Sequence, residues 1–225
     1  MSVSHPSDQS PRAERLRVTE IFHSLQGETR TAGVPTVFVR LTGCPLRCGY
    51  CDTAYAFQGG EWMSLGEILA EVARYTPRYV TVTGGEPLAQ KNCLELLTRL
   101  CDAGYEVSLE TSGALDVAEV DARVVKVLDL KTPGSGESAR NRWENLAHLS
   151  ARDQIKFVLC DRADYEWARE VLRERALAAR CEVLFSPSYG QLAPAALAEW
   201  VLADRLPVRV QIQLHKVLWG EAQGR

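Results

Sequence analysis

The sequence predicts an α/β fold: a partial, open (β/α)6-type barrel of mostly parallel strands, with its functional site at the C-terminal strand ends. Three observations carry that prediction. Short apolar or β-branched runs recur along the chain, helical patterns separate most of them, and polar or glycine-rich signatures follow strand after strand. Six or so βα units fall short of the eight in a closed barrel, so the sheet is expected to stay open.

The candidate strands are LRVTEIF (16–22), TVFVRL (36–41), YVTVT (79–83), EVSLE (106–110), VKVLDL (125–130), IKFVLC (155–160), EVLFS (182–186) and VRVQIQL (208–214). Several are nearly continuous apolar segments, the pattern of strands covered on both faces. Between them, Ser64-Leu65-Gly66-Glu67 reads as a capping box opening a helix to about Tyr75. CLELLTRLCDAG (93–104) has an apolar stripe and Gly104 as its stop. DYEWAREVLRERALAAR (164–180) and PAALAEWVLAD (194–204) continue the alternation, which implies right-handed crossovers.

Composition narrows the class. A chain of 225 residues, 46% hydrophobic, is long enough for one domain with a substantial core, expected over residues 16–225. The first fifteen residues, MSVSHPSDQSPRAER, are polar, lack the apolar stretch of a signal peptide and read as a flexible tail. A net charge of -3 gives no support for non-specific binding to nucleic acid or a membrane surface. No run of about 18 apolar residues is present to span a bilayer. The expected location is cytoplasmic, where thiols stay reduced.

The strand ends carry the chemistry. TGCPLRC follows the second strand, TGGEP (83–87) the third and TSG (111–113) the fourth. KTPGSGE (131–137), SPSYG (186–190) and LHK (214–216) follow later strands. Singly, each reads as an ordinary turn. Six on one edge, with carboxylates, a lysine and a histidine among them, read as one shared site.

Three of the seven cysteines, Cys44, Cys48 and Cys51, lie within GCPLRCGYCDT (43–53). That spacing is too tight for a disulfide framework and suits a metal. Zinc would require a fourth ligand from elsewhere, and the remaining cysteines, Cys93, Cys101, Cys160 and Cys181, are scattered through apolar patterns. Iron–sulfur clusters are commonly held by four thiolates; with three, one iron keeps an exchangeable position for a small molecule.

This Cys-x3-Cys-x2-Cys loop with Tyr50 before the last cysteine, followed by Gly84-Gly85-Glu86 after the next strand, resembles the radical S-adenosylmethionine superfamily. There the methionyl group chelates the unique iron of a [4Fe–4S] cluster, and an electron splits the sulfonium to give a 5′-deoxyadenosyl radical. EIFHSLQGE (20–28), GVPTVFVRLTGCPLRCGYCDT (33–53), TGGEP, ETSG (110–113) and QLHK (213–216) further resemble the 7-carboxy-7-deazaguanine synthase family. The resemblance runs from about residue 18 to about 218. It implies a single radical S-adenosylmethionine domain and a lyase converting 6-carboxy-5,6,7,8-tetrahydropterin to 7-carboxy-7-deazaguanine, with loss of ammonia, in queuosine and 7-deazapurine biosynthesis. It also implies Mg²⁺, a homodimer, and reduced flavodoxin or ferredoxin as electron donor.

The resemblance assigns residues as well. Leu25, Gln26, Gly27, Arg40 and Thr83 would contact the pterin; the Gln26 amide offers donors and an acceptor, and Arg40 suits a carboxylate. Tyr50, Cys51, Asp52, Gly85 and Glu86 would lie along S-adenosylmethionine. Asp129, Leu130 and Lys131, with Ser186, Pro187, Ser188 and Tyr189, would line the same cofactor site. Thr53 matches a magnesium-contacting hydroxyl. Glu28, Glu110 and His215 are candidates to hold substrate or move protons. The rival readings are a glycyl-radical-enzyme activase and a non-catalytic iron–sulfur or zinc protein.

Overall fold

A computed structural model describes residues 14–224. The tail expected over residues 1–15 lies outside the described residues up to position 13, and Arg15 already pairs with Ser64 as the first strand residue. One nine-stranded sheet holds the chain together, in the order β3-β1-β2-β4-β5-β6-β7-β8-β9. The first three are β1 (Arg15–Leu25), β2 (Pro35–Leu41) and β3 (Glu61–Ser64), with β1 antiparallel to both neighbours. From β2 onward every pairing is parallel, through β4 (Tyr79–Gly84), β5 (Glu106–Thr111), β6 (Val125–Asp129), β7 (Gln154–Leu159), β8 (Glu182–Pro187) and β9 (Arg209–Val210). The outermost strands, β3 and β9, do not pair, so the barrel is open as expected.

The helices pack on one side of this sheet. The first, α1 (Leu65–Arg74), opens with the full capping box: the Ser64 hydroxyl accepts from Glu67 N–H, and the Glu67 carboxylate accepts from Ser64 N–H. It is followed by α2 (Cys93–Asp102), α3 (Arg162–Glu174) and α4 (Pro194–Ala203). Their apolar stripes meet the outward-facing strand residues: Ile68, Leu96, Leu172 and Leu197 join Val80, Val82, Leu109, Ile155 and Phe157 in one buried core.

Strand period 2 then turns alternate residues inward, among them Thr81, Thr83, Ser108, Glu110 and Lys156. The expectation of strands covered on both faces is corrected here: helices cover one face, while the inner face, polar residues beside Phe38, Val127 and Val158, walls a cavity. Three other expectations change. The alternation is broken between β5, β6 and β7, where 3₁₀ turns and loops replace α-helices. The helix expected over 164–180 stops at Glu174, since Ala176 is left-handed with φ 48°. LHK does not close the last strand. The ladder ends where Gln211 N–H donates to the Phe185 carbonyl (2.9 Å), and the chain crosses the open edge to begin α5 (Leu214–Trp219).

Candidate active site

A cavity of about 580 Å³ opens over the inner face and the C-terminal strand ends. All but four of the sequence-predicted site residues border it.

The cysteine loop leaves β2 through Thr42 and is tied down on three sides. Gly43 N–H donates to Ala56, Gly49 N–H to Ser135, and the Gly43 carbonyl accepts from Glu86 N–H (2.8 Å). Leu46 anchors it in the interior, 1% exposed. Arg47 spans its outside, donating to the Cys44 and Leu46 carbonyls and lying 4.2 Å from the Phe57 ring centre. Cys44, Cys48 and Cys51 are free thiols that all border the cavity. Burial pushes the Cys44 and Cys48 thiols up, a pull that a bound cation would reverse.

Gly85 explains why its side of the cavity is glycine. A Cβ there would stand 2.3 Å from the Gly43 carbonyl oxygen and 2.8 Å from Cys44 Cβ. Glu86 lies elsewhere than beside a cofactor. It is 0% exposed and does not border the cavity. Its carboxylate accepts from Ser112 N–H (2.7 Å), the Ser112 hydroxyl (2.5 Å), the Thr111 hydroxyl (2.9 Å) and Leu88 N–H (3.0 Å). Leu130, Ser186 and Pro187 are the other three away from the cavity. Leu130 is 0% exposed within the core, and Ser186 and Pro187 are buried in β8; that segment reaches the cavity only at Ser188 and Tyr189.

A ring of charge also borders the cavity. The Lys156 ammonium donates to Glu28 (2.6 Å) and lies 3.5 Å from Asp129, which pairs with Lys131 at 3.0 Å. Burial alone would raise the Glu28 carboxyl, but Lys156 and His215 outweigh it and hold the group down at about 2. For Glu110 burial prevails over Lys156, and its carboxyl is raised. Glu110 also accepts from the Gln26 amide (3.1 Å) and the Thr83 hydroxyl (3.2 Å). Gln26 is nearly buried, its amide also donating to Thr81 and its carbonyl accepting from Glu28 N–H. Gly27 leaves room for His215, whose Nδ1 would lie 2.4 Å from a Cβ at that position.

Two arrangements suit bound groups. The three thiols, the glycine cradle, and two buried polar atoms without partners, Tyr50 Oη and Asp129 Oδ1, fit a cluster with a polar organic ligand beside it. Glu28, Asp52 and His215 offer ligand atoms within 4.8 Å of one another, and the Thr53 hydroxyl donates to Asp52 (2.8 Å). That oxygen-rich corner suits a hard cation such as Mg²⁺.

Comparison with known proteins now decides the family. The Radical SAM superfamily pattern matches residues 38–131. A 7-carboxy-7-deazaguanine synthase of Koribacter versatilis is 46% identical over 219 residues, spanning 91% of this chain and 97% of that protein. The chain belongs to the 7-carboxy-7-deazaguanine synthase family. A second synthase, from Chlorobaculum tepidum, is 45% identical over 213 residues, spanning 93% of this chain and 97% of its own. The crystal structure of QueE from Escherichia coli superimposes with a TM-score of 0.73 at 25% identity, covering 89% of this chain and 95% of that one. As a radical S-adenosylmethionine synthase of this family, the chain uses a [4Fe–4S] cluster and S-adenosylmethionine, which the thiols and the glycine cradle fit.

Sequence reasoning missed several synthase residues at the cavity. Lys156 and Gln213 border it, and the Gln213 amide donates to both Glu28 (2.5 Å) and Asp52 (3.2 Å). The available signal was a lysine inside the apolar run IKFVLC. Lys126, inside VKVLDL, gives the same signal yet pairs with Asp153 at 3.2 Å away from the cavity. Lys131 and Lys216 do border it.

Proposed function

We propose that this chain converts 6-carboxy-5,6,7,8-tetrahydropterin into 7-carboxy-7-deazaguanine, releasing ammonia, as a cytoplasmic step toward queuosine and other 7-deazapurines. Mg²⁺ assists, the active form is a homodimer, and reduced flavodoxin or ferredoxin is the electron donor. One observation carries the reading: a single cavity joins three metal-ready thiols to an inner sheet face whose polar groups match a carboxylated pterin.

When bound, the cluster and S-adenosylmethionine supply an organic radical that takes a hydrogen atom from substrate. The chain's own residues hold the pterin in reach and manage its protons. Arg40 meets the substrate carboxylate in a bidentate pair. Thr83, Glu110 and Gln26, linked to one another by hydrogen bonds, present an edge of donors and acceptors to the ring. Glu28, held anionic by Lys156, accepts from the ring nitrogens. Glu110, whose carboxyl burial raises above its ordinary value, is the carboxyl placed to exchange a proton with the substrate. Thr53 and Asp52 would hold Mg²⁺, which would supply positive charge to stabilise the substrate as it reacts. The stacked Phe22 and Phe38 rings, 5.0 Å apart, wall off water on the β1–β2 side.

Anaerobic incubation of reconstituted protein with the carboxytetrahydropterin, S-adenosylmethionine, Mg²⁺ and a reductant should yield 7-carboxy-7-deazaguanine by mass spectrometry. Omitting Mg²⁺ should slow it, and Thr53→Ala should blunt that dependence. An intact cluster that gives no deazaguanine defeats the assignment.

A further inference from the structure

β1 carries one extra residue against β2. Val18 pairs with Leu41 and Glu20 with Arg40, which leaves Thr19 as the bulged position. Without it, Glu20 would stand opposite Val39, a residue 0% exposed in the outer core. The bulge instead places Glu20 on the same face as Arg40, beside the cavity.

There Glu20 Oε1 accepts from Arg40 Nε at 2.7 Å and from the Tyr55 hydroxyl at 2.8 Å. The Arg40 guanidinium lies 5.7 Å from the Phe22 ring centre and 5.9 Å from that of Tyr55. Burial pushes the Tyr55 hydroxyl up to about 12, so it remains a donor. Arg40 and Tyr55 border the cavity and Glu20 does not. With Nε engaged, the two terminal nitrogens of Arg40, which have no acceptor among the described residues, form the free edge of the fork. That edge is the one that binds a carboxylate through two parallel hydrogen bonds.

We infer that Glu20, braced by Tyr55, is a positioning residue for substrate recognition: it fixes Arg40 so that its terminal fork meets the pterin carboxylate and discriminates against pterins that lack one. The inference rests on the substrate reading above. A guanidinium without this brace would sample many rotamers and lose its bidentate geometry. Glu20 never reaches the substrate, so its effect passes entirely through Arg40.

The test is steady-state kinetics on reconstituted holoenzyme, with a 6-unsubstituted tetrahydropterin as a competitor lacking the carboxylate. Glu20→Ala should raise KM for the carboxypterin roughly ten- to hundredfold, the range for losing a hydrogen bond to a charged group. Its kcat should change far less, and the competitor's Ki should not move. Glu20→Gln should recover much of the loss, because its carbonyl still accepts from Nε. Glu20→Ala combined with Arg40→Ala should bind no worse than Arg40→Ala alone. The inference is overturned by an unchanged KM, by KM and Ki rising together, or by additive losses in the double variant. Should Glu20→Ala fail to fold, Tyr55→Phe decides: a smaller KM rise at constant Ki supports the brace, and no rise refutes it. Wild-type turnover is measured first. Absence of product there defeats the substrate reading and this inference with it, whereas normal turnover makes the variants a test of the brace alone.

Discussion

Glu86 serves the cavity without touching it. Its carboxylate gathers the end of β5 and the turn after β4, and its N–H holds the Gly43 carbonyl at the root of the cysteine loop. Glu86→Ala would leave the Ser112 and Leu88 N–H groups and two hydroxyls buried without acceptors. The expected cost is about 2–4 kcal/mol. Thermal unfolding of the apo protein should show it as a drop of several degrees, and the holo protein should lose iron on gel filtration. An unchanged midpoint with normal iron content would refute this role. The Gly-Gly-Glu run was legible as a site motif, but the direction of its carboxylate was not. A carboxylate beside Pro87 also suits the start of a helical turn, and Glu86 does accept from Leu88 N–H. Lys126 and Lys156 make the same point: two lysines inside apolar strands, of which only one borders the cavity.

Among the secondary elements, those built on local signals matched their prediction best. The helix after Ser64 begins where the capping box places it, because both reciprocal hydrogen bonds close within four residues. Ser64→Ala removes the acceptor for Glu67 N–H and should lower stability by about 1 kcal/mol. Urea denaturation should move its midpoint without changing the slope; an unchanged midpoint would show that this cap is idle. Elements resting on distant partners were harder to read. β3 is two exposed and two half-buried residues that pair only with β1, and nothing in EWMS marks a strand by itself. α5 forms at the end of a β-branched run because Leu214 N–H donates to the Gly27 carbonyl (3.1 Å), a partner far away in the chain. The β1 bulge is likewise invisible before β2 is laid beside it.

Taken together, the strands bring charges from distant segments into one buried ring. Glu28 precedes β2, while Glu110, Asp129 and Lys156 come from β5, β6 and β7. Breaking the Glu28–Lys156 pair leaves a buried ammonium short of its nearest counter-charge, so Glu28→Gln should destabilise the protein by about 3 kcal/mol near neutral pH. The pH dependence has a definite sign. Glu28 falls from 4.5 to about 2 on folding, so its contribution is complete above the unfolded value and disappears as pH drops through the folded one. The stability gap between wild type and Glu28→Gln should therefore shrink between about pH 4.5 and 2. A gap of constant size across that range would show that the pair does not control it.

The sequence by itself determined what lies within a few residues: the capping box, the turn glycines and the thiol spacing that marks a cluster. Those features depend on backbone sterics and nearest neighbours, which travel with the chain. Only the tertiary structure decided which lysine faces inward, where Glu86 points and how Glu20 comes to stand against Arg40. Those outcomes hang on strand register and on partners as remote as Glu28 and Lys156, 128 positions apart. Register is settled by burying one sheet face against the helices, which is a property of the assembled sheet.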